Sequence, residues 1–299
     1  MKFVLLTVVL AGGSFLFLSA DSQPAVPDAP DFNLTREIEV VPPDPNLQAV
    51  RVATWNIERG TELDLISSEL ASNPADLLLL QEVDLRTVRA NEKDVAAELA
   101  RRLQLNAAFG TEFEELGQEK NGHAAYIGQA TLTRLPIRKS RVLRFQRQSG
   151  FWKPHSWIPS SIPLMQRRLG SRIALVTELD FQGRLLVVYN AHLESRSAGP
   201  IQSAQLDEIL ADLKQYPPHT AVILGGDLNT KYMPSTFLHK LQKQGFESAT
   251  GTRVERTHAI AMSLDWIFAS GAVRLDEGQV RRNFKGSDHY PVYADLVAR

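Results

Sequence analysis

The sequence predicts an α/β fold in which two mixed β-sheets pack face to face with helices on their outer sides. Three observations carry this prediction. Hydrophobic periodicity switches repeatedly between two and about 3.6 residues, hairpins stand beside strand–helix–strand units, and several apolar strands end in a charged or amide side chain. The last is what open α/β sheets do where they assemble a site.

Met1 and Lys2 precede the apolar run "FVLLTVVLAGGSFLFL", and "LSA" then leads into polar "DSQ". This is the layout of a secretory signal, so residues 1–20 are expected to be a signal peptide cleaved after Ala20, placing the protein in a secreted or periplasmic location. An uncleaved N-terminal anchor is the competing reading, because the run approaches the length that spans a bilayer. Residues 21–48, rich in Pro, Asp and Ala, read as a linker, within which "REIEVV" has the composition of an edge strand. Residues 49–299 contain no second linker and are expected to form one domain.

Within that domain "RVATWNIE" and "ADLLLLQEVD" are strand-like, and between them "DLISSELASN" carries Leu65, Ile66 and Leu70 at helical spacing. "NEKDVAAELARRLQ" is a second amphipathic helix and "GHAAYIGQATLTR" a further strand. "SRIALVTELDFQGRLLVVYNAHLES" reads as a hairpin turning at Gln182 and Gly183. A helix over "SAQLDEILADLKQ", the strand "HTAVILGG", a short helix from Pro234, and the strands "SLDWIFAS", "AVRLDEGQV" and "YPVYADLVA" complete the chain.

Composition excludes several chemistries. Cysteine is absent, which removes disulfides, thiolate metal sites and cysteine nucleophiles, and the formal net charge of −1 means that affinity for an anion must come from local clustering. There is no Walker loop, no GxSxG elbow and no dinucleotide fingerprint.

The strand ends are more informative. Asn56 interrupts "VATWNIE", Glu82 follows four leucines, His192 ends "LLVVYNAH", Asp227 and Asn229 end "AVILGGDLN", Asp265 opens "LDWIF", and Asp288 and His289 open "DHYPVY". Singly, each has an ordinary structural explanation as a turn cap or a hydrogen-bonded packing residue. Together they form a cluster of polar groups at the ends of independent strands, which is the signature of a site. Glu82 and Asp288 with Asn56 offer hard oxygen ligands suited to Mg²⁺, Mn²⁺ or Ca²⁺. His192 and His289 can donate to a phosphoryl oxygen, and Asp227 can take a proton from water. The two glycines before Asp227 are expected to give the chain room to approach a substrate.

Taken in order, "TWNIE", "LLLQEVD", "GQATLTRLPI", "YNAHLES", "GGDLNT", "LDWIF" and "GSDHYPV" resemble the endonuclease/exonuclease/phosphatase superfamily, from about residue 50 to the C-terminus. The resemblance implies a four-layer α/β sandwich and metal-dependent hydrolysis of phosphodiesters by in-line attack of water. It assigns Asn56 and Glu82 to the metal side, with Glu82 the principal Mg²⁺ ligand, and Asp288 to the metal or its support. It makes Asp227 the base, Asn229 a holder of phosphate or water, His192 and His289 phosphate donors, and Asp265 the residue that fixes the His289 tautomer. Gln129 stands where the family pattern has Asn, and "IQSAQL" lacks an Arg often found there.

From Lys120 to Thr177 there is no Asp or Glu, while ten Arg and Lys residues lie between Arg134 and Arg172, interleaved with Phe145, Phe151, Trp152 and Trp157. Arg167, Arg168, Trp152 and Trp157 are therefore read as substrate-binding, with nucleic acid the favoured partner. A phospholipid or inositol-phosphate substrate, with peripheral contact to an anionic membrane, is the alternative, and a solvated basic loop is the plain structural one. An exported endonuclease-like monomer is the expected protein; a non-catalytic binding module on the same fold is the expectation from another class.

Overall fold

A computed structural model of the chain describes residues 32–120, 122–151 and 167–299. The strands are β1 (Thr35–Ile38), β2 (Val50–Arg59), β3 (Leu77–Leu85), β4 (Asn106–Leu116), β5 (Tyr126–Thr133), β6 (Ile137–Arg144), β7 (Arg167–Gly170), β8 (Ile173–Phe181), β9 (Arg184–His192), β10 (Ala221–Asp227), β11 (Glu247–Ser248), β12 (Asp265–Ser270), β13 (Val273–Val280) and β14 (Val292–Ala298). The helices are α1 (Leu63–Ser72), α2 (Val95–Leu103), α3 (Pro200–Leu213) and α4 (Pro234–Gln242). One sheet of eight strands runs β1, β4, β5, β3, β2, β14, β13, with β7 also on β4; a second of six runs β11, β12, β10, β9, β8, β6. Each sheet is mixed, because β2 pairs with β3, and β10 with β9, in parallel.

Side-chain alternation builds the layers. In β3, Leu77 and Leu79 face the space between the sheets, where they meet Leu186, Val188 and Ile223, while Leu78 and Leu80 face α1 and α2. In β10, Ala221 and Ile223 join the inter-sheet core, while Val222 and Leu224 pack toward α3 and α4. Burying each such Leu or Ile contributes roughly 1.5–3 kcal/mol relative to leaving it exposed. The result is a four-layer α/β/β/α sandwich, with both central strands apolar on both faces as their sequences require.

Strand β1 falls inside the stretch read as linker. Thr35 to Ile38 pair antiparallel with Gly110 to Ala107, so the folded unit starts ahead of residue 49. The approach is fixed by Arg36, which pairs with the α2 cap Asp94, and by Asn106, whose Oδ1 accepts the Val40 N–H at 2.8 Å and whose Nδ2 donates to Val41 O at 2.9 Å. The predicted 181–184 hairpin is present, with Phe181 opposite Arg184. The expectations for residues 1–20 and for Trp152 and Trp157 lie outside the described residues. Among the described residues, no helix is long and apolar enough to cross a membrane.

Toward one end of the sandwich the inter-sheet layer turns polar, and every amide there is satisfied across the two sheets. Gln81 donates to Asn190 Oδ1 at 2.7 Å, and Asn190 donates to Leu80 O and Ala130 O. Gln129 donates to Ile173 O at 3.0 Å and accepts from Leu175 N at 3.1 Å. The residue that departs from the family pattern is thus a buried staple between β5 and β8, and satisfying both ends of its amide is what makes its burial tolerable.

Candidate active site

The pairing register of the six-stranded sheet sets three site residues side by side. Asp227 is in register with His192 on β9 and with Asp265 on β12, so the three form one row at the strand ends. Gly225 and Gly226 make this row possible in a way the sequence did not suggest. Gly226 has φ of +138°, and a Cβ there would meet Ala191 O at 1.9 Å; one at Gly225 would meet Leu79 Cδ1 at 2.8 Å. The glycines therefore serve backbone packing of β10 against β9 and β3, not room for a substrate.

The eight-stranded sheet supplies the opposite wall. Register shifts between Asn56 and Arg59, and between Leu80 and Val83, place a bulge on β2 and β3, and Glu82 sits in it with φ of +52°. A left-handed backbone at a non-glycine residue costs of order 1–3 kcal/mol, which is the kind of strain that bulges use to aim a side chain at a site. Glu58, with φ of +46°, lies in the same distortion. Asn56 joins the two walls: its Nδ2 donates to Asp227 Oδ2 at 3.2 Å and to Glu82 Oε1 at 3.4 Å. Its Oδ1 accepts the Glu58 N–H at 3.1 Å, so Asn56 is placed as a bridge between carboxylates.

Asp227 is buried at the centre. Its Oδ1 accepts the Asn229 N–H at 3.0 Å, and its Oδ2 lies 3.6 Å from His192 Nε2 and 3.9 Å from His289 Nε2. Asn229, in left-handed backbone, donates its side-chain amide to Leu193 O at 3.1 Å and so ties the loops after β9 and β10 together. His289 is held from below by Trp55, whose indole N–H donates to the His289 carbonyl at 2.9 Å. Ser287 donates to Asn56 O at 2.7 Å and accepts the His289 N–H at 3.1 Å.

Each histidine is paired with a carboxylate from the other sheet. His289 Nδ1 lies 2.9 Å from Asp265 Oδ2. Burial by itself would lower the His289 imidazolium, but Asp265, Asp227 and Asp288 outweigh it and push its pKa up to about 10. Burial raises the Asp265 carboxyl as well, so the two groups compete for one proton; with three carboxylates facing one imidazole, it rests on the ring. His192 Nδ1 lies 3.3 Å from Glu112 Oε2, and Arg172 Nη1 lies 2.9 Å from each ring nitrogen and 2.6 Å from Glu112 Oε1. Glu112 and Arg172 were not singled out for this role by the sequence, and both are almost fully buried.

The carboxylates fit a hard cation. Burial would raise Glu82, but His192, Arg168, Arg59 and Arg172 override it and hold its carboxyl at about 2, fully ionised. Glu58 is pushed up by burial and by the charges of Asp288 and Glu82, an excess of negative charge that a cation relieves. These are oxygen donors of the type Mg²⁺, Mn²⁺ or Ca²⁺ take. Among the described residues, the groups of three with ligand atoms within 4.8 Å of one another are His258, Asp288 and His289, and Asp227, Asp265 and His289. In both, His289 faces carboxylates that raise its imidazolium, which favours a donor role for its ring nitrogens.

The basic segment is corrected. Arg168 is buried on β7 and paired with Glu115 at 2.6 Å, so it is not a member of an exposed wall; Arg167 contributes its backbone to β7 in register with Leu116. Arg138 pairs with Asp180 and Arg141 with Asp212, while Arg144 donates to the carbonyls of Phe32, Thr111 and Ser171. The acidic partners come from β4, β8 and α3, so for Arg138, Arg141, Arg168 and Arg172 the segregation plain in the sequence is cancelled in space. On α3, whose start lacks the family's Arg, buried Gln205 accepts the Glu194 N–H at 2.8 Å and donates to Arg147 O at 2.7 Å.

At one end of its strands the four-layer sandwich gathers a buried Asp227, two carboxylate-paired histidines and oxygen donors suited to a hard cation. The sequence matches the model of the endonuclease/exonuclease/phosphatase family over residues 53–289, and the chain belongs to that family, whose members are in general metal-dependent phosphoesterases. No curated protein matches the sequence significantly. Solved structures share the fold. The human nocturnin catalytic domain with bound sulfate superposes with a TM-score of 0.61 at 19% identity, over 89% of this chain and 98% of that one. An endonuclease/exonuclease/phosphatase from Beutenbergia cavernae gives 0.60 at 18%, over 84% and 72%. Humanised D. rerio TDP2 gives 0.55 at 19%, over 83% and 98%.

Proposed function

We propose that the chain hydrolyses phosphodiesters by in-line attack of water on phosphorus, with Asp227 as the base. The observation that carries this reading is the position of Asp227: in one row with His192 and Asp265, and joined through Asn56 to Glu82. Asp227 orients a water and accepts its proton as the new O–P bond forms; the ester P–O bond breaks and its oxygen leaves with the rest of the substrate. His289, protonated on both nitrogens, donates from Nε2 to a phosphoryl oxygen, and His192 faces the same space from the other side of Asp227. Glu82, with Glu58 and Asp288 beside it, would hold a divalent cation, which when bound would supply Lewis-acid stabilisation of the charge that builds on phosphate.

Nucleic acid is the finer proposal for the substrate, in a narrower form than the sequence suggested. Among the described residues most arginines of the basic segment are paired internally, which disfavours a long electrostatic track and favours recognition of one or a few phosphates near the site. Export through the N-terminal segment and action as a monomer are proposed with it.

The test is hydrolysis by the purified chain with Mg²⁺, Mn²⁺, Ca²⁺ or EDTA, on plasmid DNA, single-stranded DNA, RNA, sphingomyelin and inositol phosphates. Metal-dependent cleavage of a nucleic acid supports the full proposal. Cleavage confined to sphingomyelin keeps the phosphodiesterase reading and replaces its substrate; cleavage confined to inositol phosphates, which are monoesters, or no metal-dependent cleavage of any of them, overturns it.

A further inference from the structure

His258, which belongs to none of the family-like blocks, lies against Asp288 and His289 as if completing a second cation site. The hydrogen bonds argue against that role. The Ile260 N–H donates to His258 Nδ1 at 3.0 Å. A ring nitrogen that accepts carries no proton, so the proton of this imidazole sits on Nε2 and leaves that nitrogen no lone pair for a metal. Nε2 lies 3.2 Å from Asp288 Oδ2, so the protonated edge of the ring lies against the carboxylate at ion-pair distance.

The backbone is built to hold this ring in place. His258 and His289 form an isolated antiparallel bridge, with Ala259 N donating to Asp288 O at 2.7 Å and Tyr290 N to Thr257 O at 2.7 Å. The two imidazoles meet edge to face, their centroids 4.6 Å apart at 85°. Thr257 in turn accepts the N–H groups of Leu264 and Asp265 at 2.9 and 3.0 Å, which ties the same segment to the residue that orients His289. Asp288, by contrast, has a side chain that is 47% exposed and sits on a loop.

We propose that His258 is a positioning residue: its Nε2 edge, 3.2 Å from Asp288 Oδ2, attracts that half-exposed carboxylate and holds it beside His289 and Glu58, facing the cation site. The proposal deepens the hydrolytic reading of the same site. An oriented carboxylate loses little freedom when a cation arrives, whereas a free one must be ordered first.

The experiment is carried out on the full chain and uses two readouts that need no turnover. Ring ¹⁵N spectra in EDTA, assigned with His258→Ala, are expected to show His258 as the Nε2–H tautomer; an Nδ1–H tautomer overturns the proposal. Mn²⁺ binding, followed by electron paramagnetic resonance, is expected to weaken about tenfold or more in His258→Ala, as loss of a ligand-orienting partner does. His258→Gln, whose amide N–H reaches the same place, restores most of the affinity. In an Asp288→Asn background His258→Ala should add almost nothing. An unchanged Mn²⁺ affinity in His258→Ala, or an equal loss in the Asp288→Asn background, overturns it. If His258→Ala fails to fold, the tautomer, assigned instead with His258→Gln, and the Mn²⁺ affinity of that variant decide. Absence of hydrolysis on every substrate would overturn the proposed activity and leave these two readouts intact.

Discussion

The two histidines on either side of Asp227 are held by the same device in different company. Each ring is gripped by a carboxylate from the opposite sheet: His289, ahead of β14, by Asp265 on β12, and His192 on β9 by Glu112 on β4. Around His289 the fixed charges are all carboxylates, and the ring is pushed up to about 10. Around His192 the Glu112 carboxylate is shared with Arg172, whose guanidinium touches both ring nitrogens. The difference teaches that a carboxylate can make a donor that is charged at neutral pH or, with an arginine added, a rigid mount, without any change in the histidine itself.

Breaking the first pair should have the larger effect. His289→Ala is expected to lower kcat by about 10²–10⁴, the usual worth of a placed acid–base group, with circular dichroism unchanged. Asp265→Asn should fall in the same direction, and further than Glu112→Gln, because His192 keeps Arg172 when Glu112 is neutralised. Equal losses in Asp265→Asn and Glu112→Gln would mean that the two mounts are equivalent.

The same contrast should appear in stability. A group raised on folding stabilises fully below its unfolded pKa and loses that contribution as pH climbs through the folded value. In EDTA, the Asp265–His289 pair should therefore stabilise below about 6.5 and lose its contribution toward pH about 10. Asp265→Asn should remove that alkaline dependence of Tm; a persisting one would assign it elsewhere. Arg172→Met leaves Glu112 buried without its guanidinium and should cost about 3–5 kcal/mol in chemical denaturation. Adding Glu112→Gln should recover most of the loss.

Far from both pairs, Asp94→Ala removes the α2 cap, whose side chain accepts the Ala97 N–H at 3.1 Å, and the partner of Arg36 on β1. It should cost about 1 kcal/mol. Burial opposes the ionised Asp94, but Arg36 and the Ala97 N–H outweigh it and hold the carboxyl below its ordinary 3.8, so the contribution is present above that value and lost as pH falls through the lower folded one.

The layers were legible because their cause is local. Alternation in "LLLL" and "AVIL" marks strands buried on both faces, and polar residues at strand tips mark the site end. What was not legible depends on partners distant in the chain. Strand β4 carries Glu112, Glu114 and Glu115 in "TEFEEL" and by composition reads as solvated, yet Arg89, Arg168 and Arg172 meet Glu112 and Glu115 inside the molecule. The same pairing made the basic segment look like an anion-binding wall. Gly226 was legible as a special residue but not for its reason, since the close approach of Ala191 O exists only once β9 and β10 are side by side. His258 gave no sequence signal that separates it from a packing histidine; its role rests on a bridge to His289 that only the fold creates.

The most direct test of the central assignment is the rate of Asp227→Asn, measured with Mn²⁺ on whichever phosphodiester the wild-type chain cleaves best, alongside thermal unfolding. The account predicts a fall of at least about 10²-fold, the lower end for loss of a general base, in a protein that still unfolds cooperatively and still binds Mn²⁺. A folded Asp227→Asn variant that cleaves at the wild-type rate would contradict it.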